Sequence, residues 1–113
     1  SYNLALLYVE LGDTLNALRY FEKTVKLIPW NQRAYYNYGL LLQKAGKVKD
    51  AVSAFRKGLE SEPMDHDLNY IMFLHYFNEE DRENALIYLE NLVQIAPSNS
   101  MYKETLANLK YSK

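Results

Sequence analysis

The chain has 113 residues, no cysteine and a formal net charge of −1, and its length suits a single domain. Hydrophobic residues make up 49% of it and charged residues 24%, a balance that is typical of folded globular proteins and argues against disorder. The lack of cysteine excludes disulfides and thiolate metal sites, and the near-zero charge gives no general attraction to nucleic acid or anionic lipid.

The first residues, Ser1-Tyr2-Asn3-Leu4, contain no initiator Met and no basic stretch before an apolar one, so they do not resemble a signal peptide. We interpret the chain as a segment excised from a longer protein. No apolar stretch approaches the roughly 20 residues that a membrane helix needs, so we expect no membrane insertion.

A spacing of 34 residues separates successive prolines, and three further columns of residues share it. Several independent columns with one period predict a stack of repeats, each made of two helices. The columns are Pro29, Pro63 and Pro97; Ala17, Ala51 and Ala85; Phe21, Phe55 and Leu89; and Tyr8, Leu42 and Tyr76.

The first predicted repeat, residues 1–31, opens with a helix that ends near Gly12, because glycine tolerates the left-handed backbone that follows a helix. Asp13 is the expected N-cap of the second helix. Pro29 stops that helix, since proline lacks an N–H and disfavours helix in the residue before it.

The second predicted repeat, residues 32–65, follows the same plan, with Asn31 as the N-cap of its first helix. Gly46 separates its two helices and Pro63 ends the second. Its first helix has one apolar face at helical spacing, formed by Tyr35, Tyr38, Gly39 and Leu42.

The third predicted repeat, residues 66–99, has Asp65 and Asp81 as expected N-caps but departs from the pattern at three positions, where Phe73, Glu80 and Leu92 replace smaller residues. Phe73 replaces a small residue of the earlier repeats, so we expect its helices to lie farther apart or to cross at a different angle. Glu80 replaces the turn glycine, and it must either accept a left-handed backbone or shift the turn.

Residues 100–113 form one more predicted helix, with Asn99 as its N-cap. Its apolar stripe is Tyr102, Leu106 and Leu109, and the rest of its surface is polar. Stacks of repeats need such a polar-backed helix at their end to remain soluble.

The first repeat resembles the tetratricopeptide repeat at Leu4-Ala5-x-x-Tyr8, Gly12, Ala17-x-x-x-Phe21 and Pro29. The second repeat has the same pattern at the corresponding positions. The resemblance covers essentially the whole chain. It implies an all-α, right-handed superhelical solenoid of three repeats plus the C-terminal solvating helix, hence seven helices in one domain spanning residues 1–113.

The resemblance also implies a peptide-binding groove on the first helices of the repeats. Their exposed columns are apolar and aromatic, and a run of exposed apolar residues usually marks a contact surface. Asn37 occupies a position from which members of the family hydrogen-bond a ligand backbone. The alternative is that these side chains only fill seams between helices. The predicted groove residues are Tyr2, Leu6, Val9, Arg33, Tyr36, Asn37, Leu40, Tyr70, Leu74 and Phe77.

Chaperone-binding members of the family hold a C-terminal carboxylate with lysine, asparagine and arginine side chains. The matching positions here are Tyr2, Leu6, Asn37, Asp67 and Ile71, and only Asn37 fits. Because Asp67 repels a carboxylate, this register contains no carboxylate clamp.

The two histidines, His66 and His75, lack metal-ligand spacing, and no serine has a base near it in the pattern, so we expect neither metal, cofactor nor catalysis. Nucleic acid binding needs a basic stripe, which the groove does not offer. We therefore predict a protein-interaction module that binds an apolar or aromatic peptide or helix. The alternative is a structural tail or spacer of a longer helical-repeat protein or enzyme.

Overall fold

The computed structural model describes residues 2–111, which form seven helices and no strand. The predicted all-α helical-repeat architecture is confirmed. The second helix of each predicted repeat ends two residues before its proline. The helices are α1 (Tyr2–Glu10), α2 (Thr14–Leu27), α3 (Gln32–Lys44), α4 (Val48–Ser61), α5 (His66–Asn78), α6 (Arg82–Ile95) and α7 (Ser100–Tyr111).

The helices belong to two compact units, one within Ser1–Glu62 and one within Pro63–Lys113. In the first unit α1 packs on α2 and α3 on α4, and α2 also contacts α3. In the second unit α5 packs on α6, and α6 contacts α7. The short turns inside each pair make the paired helices antiparallel neighbours.

Side-chain caps begin five of the helices, at the residues that the sequence predicted. Each cap oxygen accepts a hydrogen bond from a backbone N–H of the first turn, which otherwise has no partner. Asn84 donates to Asp81 from both its backbone and its side chain, which lowers the pKa of that carboxyl. The capping residues are Asp13, Asn31, Asp65, Asp81 and Asn99.

The turn inside each pair has the same hydrogen bonds in all three repeats. Gly12 and Gly46 have φ values of 76° and 81°, and Glu80 adopts the left-handed backbone at φ 58°. The N–H of Glu80 bonds to the carbonyl of Phe77, as Gly46 bonds to Gln43. Of the two alternatives for Glu80, the backbone therefore takes the left-handed one and the turn keeps its shape.

The repeated small and large residues form the core, as expected. Two of the columns have no exposed surface, namely the alanines Ala17, Ala51 and Ala85 and the large residues Phe21, Phe55 and Leu89. Gly39 brings α3 so close to α4 that an added Cβ would lie 2.3 Å from the Phe55 ring. In the third repeat, Phe73 takes the position of Gly39 and Leu89 that of Phe55, so the larger side chain lies on α5 instead of α6. Both residues are buried.

We expect Gly39→Ala to destabilise the protein by about 1–3 kcal/mol, although alanine favours helix, because the fully buried Phe55 ring already occupies the position of the added Cβ. Phe55→Leu in the same chain should recover part of this loss, since it reproduces the smaller residue of the third repeat. Urea unfolding of both single variants and the double variant measures the coupling. Strict additivity of the two changes would show that the contact does not set the helix separation.

We expect Glu80→Gly to stabilise the protein by about 0.5–1 kcal/mol, because relief of the left-handed strain exceeds the entropy that glycine loses on folding. The matched control is Gly46→Ala, which places a Cβ at the equivalent position in the turn of the second repeat and should destabilise the protein by about 1 kcal/mol. Both are measured by the midpoint of urea unfolding. A midpoint lowered by Glu80→Gly would contradict the assignment of strain to this residue.

Candidate functional site

A small cavity lies between α1 and α3 in the first unit, and we call it the α1/α3 cavity. Its volume is about 170 Å³, and the buried Phe21 and Leu41 contribute to its lining. Four predicted groove residues line it together, namely Leu6, Val9, Asn37 and Leu40, and Lys44 completes the lining. The structure thus brings these four residues to one apolar site with an amide and an ammonium group beside it.

Asn37 is held in place by two hydrogen bonds from its side-chain amide. Its Nδ2 donates to the Tyr2 hydroxyl at 2.7 Å and to the carbonyl of Arg33 at 3.0 Å. A backbone carbonyl can only accept, so the NH₂ group must face Arg33, which fixes the orientation of the amide. Both amide hydrogens are used inside the protein, and the side-chain carbonyl is the atom that Asn37 has to offer a ligand.

Arg33 and Tyr36 lie outside the lining of the α1/α3 cavity. The Arg33 guanidinium is 4.7 Å from the centre of the Tyr36 ring, a cation–π contact. The Tyr36 ring in turn lies 6.3 Å from Phe55, so it also covers the core. Tyr36 therefore contacts both a charged side chain and a core residue.

Tyr70, Leu74 and Phe77 lie on one face of α5 in the second unit. Tyr70 is 38% exposed and Phe77 48%, while Leu74 is half-buried. The Phe77 ring packs on Phe73 with 5.5 Å between centres. This face therefore presents aromatic surface to the outside.

The sequence did not predict a polar aromatic cluster that lies beside Tyr70. His66 Nε2 lies 2.7 Å from the Tyr102 hydroxyl, and its Nδ1 lies 3.2 Å from the Asp67 carboxylate. Burial is the main cause of a raised Tyr102 pKa, with smaller contributions from Tyr70 and Asp67. Sequence patterns identified Tyr102 only as apolar, because the partner of its hydroxyl comes from another helix.

Within residues 2–111, no group of three or more His, Asp or Glu side chains could hold a metal ion. Nor is any helix there long and apolar enough to cross a membrane.

Paired antiparallel helices, repeated with one set of caps and turns, define this protein as a helical-repeat protein. The sequence profile of the tetratricopeptide repeat matches residues 2–63, and the chain belongs to that family.

The chain spans only part of the length of three proteins to which it is similar. It is 28% identical to YrrB, described as a TPR protein with an unusual peptide-binding site, over 92% of this chain and 54% of that one, with a TM-score of 0.73. MamA from Desulfovibrio magneticus is 26% identical over 96% of this chain and 62% of its own, with a TM-score of 0.72. Protein O-mannosyl-transferase TMTC3 of Homo sapiens is 23% identical over 96% of this chain. The chain spans only 12% of that human protein.

We expect Tyr2→Phe to destabilise the protein by about 0.5–1.5 kcal/mol, because it removes the acceptor of one Asn37 hydrogen bond. Asn37→Asp should cost more, since it removes both donors and sets a carboxylate against the Arg33 carbonyl. Tyr8→Phe is the control, because the Tyr8 ring stacks on Tyr20 and keeps that contact. Thermal unfolding of the three variants measures the order; equal losses for Tyr2→Phe and Tyr8→Phe would contradict it.

Proposed function

We propose that this chain is a protein-interaction module that binds a peptide or helix by taking one of its apolar side chains into the α1/α3 cavity. The observation that carries the proposal is the cavity itself, where Leu6, Val9 and Leu40 form an apolar surface that the fold leaves open. Val9 is 41% exposed, so a bound side chain would remove this surface from water.

The polar groups at the cavity suit a peptide better than a free hydrocarbon. The side-chain carbonyl of Asn37 can accept a hydrogen bond from a peptide N–H, because Tyr2 and Arg33 already hold its NH₂ group. Lys44, which also lines the cavity, favours a carboxylate or a backbone carbonyl beside the inserted side chain.

The size of the cavity limits how much affinity it supplies. Full burial of one large apolar side chain contributes about 1.5–3 kcal/mol, and one hydrogen bond adds about 1 kcal/mol. A total near 4 kcal/mol corresponds to a dissociation constant on the order of 1 mM. A physiological partner must therefore make further contacts outside the cavity.

The peptide-binding site named for YrrB supports this class of function, since that protein shares the repeat and is 28% identical over 92% of this chain. A protein partner fits the site better than nucleic acid does, because phosphate binding needs a row of cations and the cavity lining contains only Lys44. The proposed role is binding rather than catalysis.

We expect Val9→Glu to weaken the binding of peptides selected from a random displayed library by at least about tenfold, because it places a carboxylate in the apolar cavity. Leu7→Glu is the matched control, since Leu7 is 48% exposed on the same helix but does not line the cavity. Both variants should keep the stability of the parent to within about 0.5 kcal/mol, as exposed positions usually do.

Calorimetry with the selected peptides gives the affinities, and methyl NMR spectra show where they bind. Shifts confined to Leu6, Val9 and Leu40 would support the proposal. Equal loss of affinity in both variants would contradict it. Failure to select any peptide would favour the structural alternative, in which the apolar surface packs against other parts of a longer protein.

A further inference from the structure

A second and larger surface lies on another part of the first unit, and we call it the α2/α4 groove. It has a volume of about 730 Å³ and is lined by residues of α2, α3 and α4, none of which line the α1/α3 cavity. Val25, Tyr35, Leu42 and Ala54 are its buried apolar residues. Its size suits a row of side chains rather than a single one.

The charged side chains of the α2/α4 groove are mostly cationic. Arg19 and Lys26 come from α2, Lys47 immediately precedes α4, and Lys57 lies within α4. The two carboxylates in the lining are Glu22 and Asp50, and Glu22 is paired with Lys26 at 3.0 Å. The groove therefore has an excess of positive charge around apolar side chains, which favours an acidic segment with an apolar centre.

This chain carries such a segment on α6, in its second unit. Glu83, Ile87 and Glu90 are spaced four and three residues apart, so they form one stripe on the helix, which we call the α6 face. Ile87 is 52% exposed between the two carboxylates. Glu90 lies 3.9 Å from Lys110, but both side chains are about half exposed and such a pair holds its partners weakly.

We propose that the α6 face of one copy of this chain docks into the α2/α4 groove of a second copy. Ile87 lies against the apolar residues of the groove, and Glu83 and Glu90 lie near Arg19 and Lys57. Charge complementarity selects this occupant, since residues 66–99 carry six acidic side chains against one basic one, and residues 32–65 carry six basic against four acidic.

The contact joins two different surfaces, so it is heterologous. In an assembly of several copies, only the two copies at the ends keep one unused groove or face. Its charges lie near the surface, where salt screens them over about 8 Å at physiological ionic strength. We therefore expect a weak, salt-sensitive association whose average mass rises with protein concentration.

Sedimentation velocity of the whole chain tests the proposal with two variants. Arg19→Glu with Lys57→Glu disables the groove but keeps the α6 face, and Ile87→Lys disables the face but keeps the groove. Each variant alone should associate at least about tenfold more weakly than the parent. An equimolar mixture of the two should regain a complex of two chains, because one intact groove then meets one intact face.

The control is Lys23→Glu with Lys49→Glu, which reverses two charges on α2 and α4 outside the groove and should associate like the parent. Circular dichroism confirms that every variant is folded. The proposal is overturned if the parent stays monomeric at all concentrations, if the control weakens association as much as the groove variant, or if the mixture forms no complex. If the parent is monomeric, the partner of the groove would instead be an acidic helix of another protein.

Discussion

The close approach of paired helices is the constraint on which the rest of the structure depends. It is set by a small residue facing a large one, most clearly at Gly39, where the Phe55 ring occupies the space of a Cβ. The alanine column and the column of Phe21, Phe55 and Leu89 bury one side of α2, α4 and α6 and leave other sides of these helices exposed. Those sides are free to carry function, and a change of helix separation would alter every surface built on them.

Two such surfaces occur in the first unit, and their chemistry differs. The α1/α3 cavity is small, apolar and lined by one cation, which suits a single inserted side chain. The α2/α4 groove is larger and has four cations in its lining, which suits an acidic row. The two linings share no residue, so the partners proposed for the two surfaces would not compete for the same side chains.

The sequence predicted part of the candidate site. Leu6 and Leu40 occupy equivalent positions on successive first helices, and Val9 and Asn37 belong to other columns of the predicted groove. All four residues line one cavity. The buried Phe21 and Leu41 were not expected there, because the sequence pattern of core residues does not indicate which of them also line a cavity. The bond between Tyr2 and Asn37 was also missed, because it depends on the distance between two helices.

The sequence by itself determined the period, the helices and their ends, because caps, glycine turns and prolines act over a few residues. The tertiary structure decided what local chemistry left open. Glu80 takes a left-handed backbone because the paired helices on both sides fix the geometry of the turn, and no local preference of glutamate favours it. The His66–Tyr102 contact and the sizes of both surfaces likewise depend on how separate helices pack, which is set by side-chain volumes summed across the core rather than by any one segment.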